Sequence, residues 1–353
     1  MQLKQTHSNQ EKGFSRRSFL KLSGLLGIGT ASAFLLPPAS EAVKLDRKKF
    51  KVSSTRPAMG TLVTMILVHE SRDRAQEAMG WAFEEMDRLS AIFNRYERAT
   101  AIGHLNSEGR LPEAPPEVLR VVSRALTHYE LTGGAFDITV KPVVDLFKER
   151  FQNTETPKVL EKELDQILEL VDSRGIVLGD REIRFSRPGM GLTLDGIAKG
   201  YIVDRISEYL KKKGVENHLV NAGGDICTCG SRADGKPWTI AIEDPEKCGE
   251  YPDVVRMRSG AVATSGNYEI YYDRDKMVHH IVNPRSGKSP NLFSSVSVRA
   301  GSAMDADALA TGVYVLERDK GLQLVNSLPG CESLVIDGAG RQWTSGGWKK
   351  ASI

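Results

Sequence analysis

The chain has 353 residues, and its 48 Lys/Arg against 45 Asp/Glu leave a net charge of only +3. Five of the basic and two of the acidic residues fall within the first 42 positions, so the remainder carries 43 of each and is neutral. That balance excludes a chain-wide basic surface for nucleic acid, and the length is enough for one large domain with its own core.

The first 42 residues read as an export signal and not as part of the fold. Arg16-Arg17 opens a run Ser18-Phe19-Leu20-Lys21, a mostly apolar stretch follows from Leu22 to Leu36, and small residues Ser40 and Ala42 frame a cleavage point after Ala42. The apolar stretch is shorter than the roughly 20 residues a membrane-spanning helix needs. The paired arginines match a twin-arginine signal, which predicts passage through the Tat translocase to the periplasmic face of the inner membrane. The mature domain is then 43–353. No cysteine precedes Cys227, which excludes a lipid anchor on a signal cysteine. Cys227, Cys229, Cys248 and Cys331 allow three full pairings. No second close pair accompanies Cys227-x-Cys229, so a cysteine zinc site is not expected.

In chain order, Thr61 to His69 is rich in β-branched and apolar residues and predicts a strand. Ala75, Ala78, Ala82, Met86, Leu89 and Phe93 recur at three- and four-residue steps, which predicts a helix from about Arg72 to Tyr96. A second helix is predicted from Glu117 to Leu131, stopped by Gly133-Gly134. The stretch from Asn153 to Lys162 leads into a short helix ending near Leu170, followed by strands around Ile176 and Ile183. A helix is expected from Gly196 to Lys213, closed by Gly214. From Glu216 to Val298 short strands alternate with Gly, Pro, Asn and Asp. A long helix from Ser302 to Leu316, a shorter helix and a strand complete the chain. Helices and antiparallel-looking strands alternate without a βαβ rhythm, so the fold class is α+β, with mixed or antiparallel sheets and packed helices.

The sequence lacks the phosphate-binding G-x-x-x-x-G-K-[ST] and G-x-G-x-x-G loops, the zinc motif H-E-x-x-H and the nucleophile elbow G-x-S-x-G. It has instead a series of loops pairing glycine with polar groups. They are Met59-Gly60-Thr61, Gly134-Ala135-Phe136-Asp137, Gly196-Ile197-Ala198-Lys199-Gly200-Tyr201 with Asp204, Asn221-Ala222-Gly223-Gly224-Asp225, Ala263 to Asn267, His280 to Gly287, and Asp307 to Thr311. Glycine lets backbone N–H groups approach phosphate oxygens, and a turn into a helix aims its N-terminus at negative charge. Asp307 and Thr311, four apart, share one helical face. A carboxylate and a hydroxyl there are hard oxygen donors suited to Mg2+, which keeps several waters and takes few protein ligands.

These motifs (M-G-T, G-A-F-D, G-I-A-K-G-Y-x-x-D, N-A-G-G-D, A-T-S-G-N, H-I-x-x-P-x-x-G and D-A-L-A-T), in this order from Met59 to about Leu316, resemble the ApbE family, the FAD:protein FMN transferases. The resemblance implies a T-fold-like flavin transferase architecture with FAD as substrate. It also implies Mg2+ held by Asp307, Thr311 and the carbonyl of Gly196. On the same basis Met59 would touch the flavin, Tyr96 would pack on its ring, and Ala135, Phe136, Asp137, Lys199 and Ile281 would line the FAD site. FMN would pass to a threonine or serine of an exported acceptor, a membrane-associated redox subunit, with release of AMP. His280 and Asp137 are both candidates for the base that takes the hydroxyl proton.

The chain departs from the family in two places. Family members commonly carry a carboxylate where this chain has Thr193, with Asp195 two residues on. In a strand, residues two apart face one side, so Asp195 would stand in for part of that carboxylate's role. Asn283 replaces the more usual Asp before Pro284. Two other functions share these motifs: hydrolysis of FAD to FMN and AMP, and non-catalytic flavin binding by an assembly factor for a respiratory redox complex.

Overall fold

The computed structural model describes residues 14–15, 41–46, 49–151, 161–246, 250–268, 270–273 and 277–349. Arg16-Arg17, the apolar run to Leu36 and Cys248 lie outside the described residues. Glu41 and Ala42 already belong to the first strand of the main sheet, so the expected cleavage point falls inside that strand.

The framework is a nine-stranded, wholly antiparallel sheet. In chain order its strands are β1 (Glu41–Asp46), β2 (Lys49–Ala58), β3 (Thr61–His69), β7 (Asn217–Ala222), β8 (Asp225–Cys229), β11 (Gly260–Gly266), β12 (Phe293–Ala300), β13 (Glu332–Asp337) and β14 (Gln342–Thr344). Across the sheet the order is β14-β13-β12-β11-β8-β7-β3-β2-β1. Three two-residue or three-residue strands, β4 (Arg110–Leu111), β5 (Ile176–Leu178) and β6 (Ile183–Phe185), form a small separate sheet. A ribbon of β9 (Trp238–Ala241) and β10 (Val254–Met257) lies apart from both.

Strand alternation supplies two cores, because successive side chains point to opposite faces. Val63, Met65 and Leu67 of β3, Val220 of β7, Cys227 of β8 and Ala261 of β11 join the core shared with the helices. Ile66, Val68, Leu219, Ile226 and Val262 point the other way and meet Trp238, Ile240, Val255 and Met257 of the ribbon.

Eight helices are described: α1 (Arg72–Phe93), α2 (Ala101–Glu108), α3 (Pro116–Leu131), α4 (Lys141–Phe151), α5 (Glu161–Leu168), α6 (Ala198–Lys212), α7 (Ala303–Val315) and α8 (Arg318–Ser327). The α1 stripe is buried as its periodicity predicts, and Ser71 caps its start by accepting from Arg74 N at 3.3 Å. The helix ends at Phe93, short of the expected Tyr96, and the Asn94–Tyr96 stretch turns out to build the site. Pro116 opens α3 as its first residue. Helices α2 and α4 and strand β2 were not foreseen in the sequence. Helix α7 is buried on nearly every side, including Ala303, Ala306, Ala308, Leu309, Ala310 and Val313. Its small residues let it sit between β11, β12, α6 and α8. Among the described residues no helix is long and apolar enough to cross a membrane. Cys227, Cys229 and Cys331 are free thiols, Cys227 buried and the others half-buried.

Candidate functional site

Two hairpin turns lie side by side at one end of the main sheet. Met59–Gly60 joins β2 to β3 with φ of 52° and 73°, and Ala58 faces Thr61 across it. Gly223–Gly224 joins β7 to β8 with φ of 63° and 102°, and Ala222 faces Asp225. Two consecutive positive φ values suit a two-residue hairpin, and only glycine adopts them without strain. A side chain at Gly223 would run into the Thr61 hydroxyl, so the two motifs meet there. Asn221 Oδ1 accepts from Gly224 N at 3.0 Å and fixes the second turn. Beside it, toward the ribbon, is a cavity of about 140 Å³ lined by residues that include Asn221, Gly224, Ile240, Glu243, Thr264 and Tyr268.

On the helix side of the same sheet end stands a charged corner. Lys199, in the first turn of α6, places Nζ 2.7 Å from Oδ2 of the buried Asp225. Asp307 in α7 is buried and its Oδ2 accepts from Gly200 N at 3.2 Å. Burial and the neighbouring Asp225 charge push the Asp307 carboxyl well above the usual range, against the Lys199 ammonium and the Gly200 N–H. Thr311 lies one turn further along α7, its Oγ1 3.2 Å from Ser265 Oγ of β11. Gly196 abuts that hydroxyl so closely that an added Cβ would sit 2.8 Å from Thr311 Oγ1. The three expected metal donors therefore share one corner.

This donor set fits a divalent cation. Two buried carboxylates with one nearby ammonium are short of positive charge, and a hydroxyl and a backbone carbonyl stand next to them as hard oxygens. Among the described residues no group of three or more His, Cys, Asp or Glu gathers for a metal. The expected set does not call for one, since it uses one carboxylate, one hydroxyl and one carbonyl.

Beyond the turn into α6 is an open aromatic ledge. Arg95 is buried and its Nη2 donates to Asp195 Oδ2 at 3.0 Å. Tyr96 is 69% exposed, with the Arg95 guanidinium 4.7 Å and Lys148 Nζ 4.5 Å from its ring centre. An exposed ring held by cations in the turn after α1 is a surface suited to a flat partner. The residues preceding α6 do not form a strand, and the helix starts at Ala198, not at Gly196. Thr193 is buried with Oγ1 accepting from Asp195 N at 3.3 Å, while the Asp195 side chain is 52% exposed and turned to Arg95. The same-side substitution expected of a strand therefore does not apply. Thr193 shapes the turn, and Asp195 holds Arg95 beside Tyr96.

The two candidate bases part company. His280 is half-buried and its Nδ1 lies 2.9 Å from the Ile270 carbonyl, which only accepts, so Nδ1 carries the proton and Nε2 keeps its lone pair. Burial pushes this imidazole below its ordinary value, opposed by the Ile270 bond and the Asp195 charge and aided by Lys199, which places His280 within the field of the charged corner. Asp137 is buried and already accepts four hydrogen bonds, from Thr139 N (2.7 Å), Thr139 Oγ1 (2.5 Å), Ser173 N (3.2 Å) and Ser173 Oγ (2.7 Å). It ties two turns together, with Oδ1 taking three of these bonds and Oδ2 only the one from Ser173 N, and burial pushes the carboxyl above its ordinary range.

Two of the expected lining residues keep their side chains inside the fold. The Phe136 ring is buried against His128, Gly196 and Gly312, under the charged corner and not on its surface. The Ile281 side chain is buried with Phe293, Val296 and Tyr314, while His280 before it is half-buried. Met59 and Ala135 are half-buried, each at the edge of a core cluster.

A family model described as the ApbE family matches residues 59–335, spanning every element of this corner. The chain belongs to the ApbE family. The FAD:protein FMN transferase of Vibrio cholerae is 30% identical over 312 residues, covering 85% of this chain and 92% of that protein. That of Haemophilus influenzae is 30% identical over 249 residues, covering 67% and 71%. The crystal structure of the ApbE protein from Thermotoga maritima superposes with a TM-score of 0.75 at 28% identity, covering 84% and 97%. The flavin transferase ApbE from Vibrio cholerae does so with a TM-score of 0.73 at 25% identity, covering 88% and 98%.

Three side chains of this ApbE corner were given no role in the sequence reading. Arg95 adjoins a helix end that the periodicity overran. Asp225 closes N-A-G-G-D as the partner of Lys199. Asp204, in α6, accepts from Ala303 N at 2.8 Å and Met304 N at 2.9 Å. The legible signal was a carboxylate amid the buried Ile202, Val203 and Ile206, because a charge on the inner side of a helix has a partner to meet.

Proposed function

We propose that this ApbE-family flavin transferase moves the FMN half of FAD onto a threonine or serine hydroxyl of an acceptor protein, releases AMP, and does so with Mg2+ in the periplasm. The observation that carries the reading is the corner where Gly196, Asp307 and Thr311 converge beside Lys199, with the exposed Tyr96 held by Arg95 and with His280 within the field of Lys199 and Asp195. Family membership and the activity of the relatives, FAD:protein FMN transferases, support the flavin chemistry. The Arg16-Arg17 motif supports export.

The chain's own groups divide the work. Tyr96 and Arg95 offer a face and a cation to the flavin ring. Lys199 offers a point charge to the diphosphate. His280 Nε2 takes the hydroxyl proton as the acceptor oxygen bonds to the FMN-side phosphorus and the bond to the AMP-side bridging oxygen breaks. Mg2+, held by Asp307, Thr311 and the Gly196 carbonyl, would supply electrostatic stabilisation of the phosphate oxygens.

Incubation of the protein with FAD, Mg2+ and an exported redox subunit as acceptor tests this. A fluorescent covalent band that disappears with chelator is expected. Free FMN and AMP without a band would indicate the pyrophosphatase, and no AMP with any acceptor would indicate a flavin-binding assembly factor. Asp307→Ala should lower metal-dependent transfer by on the order of 100-fold or more while preserving the fold, and transfer at the wild-type rate would reject the metal assignment.

A further inference from the structure

All three donors of the proposed cation site come from two pieces of chain: the turn leading into α6, which carries Gly196, and helix α7, which carries Asp307 and Thr311. Their separation is therefore set by how α6 and α7 lie against each other. Two α6 residues fix that relation. Gly200 lets the helices approach, since any side chain there would overlap the Ala303 carbonyl, and its N–H donates to Asp307. Asp204, one turn further and on the same face, accepts from the N–H groups of the first two residues of α7.

We propose that Asp204 is a positioning residue for the divalent cation, locking the register of α7 against α6 so that Asp307 and Thr311 face Gly196. The inference rests on the metal reading above. Helix α7 has a local cap in Ser302, but that cap covers one donor only. Ser302 Oγ already accepts from Asp305 N at 3.1 Å, and Asp305 supplies a negative charge in the first turn. Asp204 adds a tie from another helix, about 100 residues away in sequence, at the end of α7 nearest Asp307. Burial pushes its carboxyl up to about 6 against the two backbone bonds that favour the charge. Ser302 reaches only Asp305 N, so the Ala303 and Met304 N–H groups are met by an acid that comes from α6 and not from α7's own turn.

The test uses Mn2+ as a probe, with free Mn2+ counted by its electron paramagnetic resonance signal, on the full chain carrying no change, Asp204→Ala, Asp204→Asn or Ser302→Ala. Asp204→Ala should weaken Mn2+ binding by roughly tenfold or more, the usual cost of losing an outer partner of a metal ligand. Asp204→Asn, which keeps one acceptor, should lose less and carries the test if the alanine variant does not fold. FAD binding in metal-free buffer, followed by flavin fluorescence, should stay unchanged in both. Ser302→Ala should lower the melting temperature and leave Mn2+ affinity alone. Asp204 variants that bind Mn2+ like the unchanged protein, or a Ser302→Ala loss equal to that of Asp204→Ala, would overturn the inference. An unchanged protein that binds no Mn2+ would instead sink the metal reading, and this inference with it.

Discussion

At His280 one ring nitrogen is committed to the Ile270 carbonyl and the other is open, and burial keeps the ring neutral to a lower pH than in solution. A base must be unprotonated to act, so transfer should fall as pH drops through that lowered value. The acid limb of kcat/KM is expected below pH 6.5 in the wild type and absent in His280→Ala, whose rate should fall by roughly 10²–10⁴-fold. An unaltered acid limb in the variant would assign the proton to another group. Tyr96 has a separate signature. Its exposed ring is held by two cations and meets only the flavin half of the substrate in the proposed pose. Tyr96→Ala should weaken FAD binding by about 1 kcal/mol beyond the area lost, roughly five- to tenfold, and leave ADP binding nearly untouched. Equal losses for the two ligands would argue against ring packing.

At the scale of elements, α6 is where the site is most exposed to a small change. Gly200→Ala places a methyl on the Ala303 carbonyl, and backbone cannot move aside as a flexible side chain can. The expected cost is about 1–3 kcal/mol of stability from overpacking, with Mg2+-dependent transfer falling further than stability alone explains. Chemical denaturation paired with activity measured well below the melting point separates the two, and full activity in the surviving folded fraction would rule out a role for helix spacing. The same helix shows what could be read in advance. The α1 stripe, the strand Thr61–His69 and the long helix α7 were legible because period and caps agree over many residues. The shared face of Asp307 and Thr311 was legible because four-residue spacing fixes it. The pairing of Arg95 with Asp195 was not, because it joins positions 100 residues apart through a turn that a strand-based reading misplaced. The ties of Asp137 were not legible for a related reason: nothing in G-A-F-D announces that its carboxylate accepts from Ser173 as well as from Thr139.

Over the whole molecule, buried titratable groups of opposite sign oppose one another. Asp204 is raised to about 6, and Asp225 and Asp307 are raised as well, so folding favours their protonated forms and these groups gain stability as pH falls toward the ordinary carboxylate range. His218 works the other way. It is fully buried between Ser207 Oγ at 2.8 Å and the Val215 carbonyl at 2.8 Å, and burial lowers it from 6.5 to about 4. The unfolded chain binds the extra proton between those values, so the contribution of His218 is complete above pH 6.5 and is lost as pH drops through 4. At roughly 1.4 kcal/mol for each pH unit between the two values, the full effect is about 3 kcal/mol. His279, lowered to about 4 as well, adds the same sign. Raised carboxylates, depressed carboxylates such as Asp305 and Asp172, and the histidines all titrate on acidification, so the stability of the wild type alone does not isolate His218. The difference between wild type and His218→Gln isolates one group, since glutamine can keep a donor and an acceptor without titrating. Urea unfolding at pH 7 and pH 4.5 should show the wild type losing roughly 2–3 kcal/mol more than the variant across that interval. Parallel losses would mean that His218 takes up its proton in the folded state, and that the layer between α6 and β7 admits water.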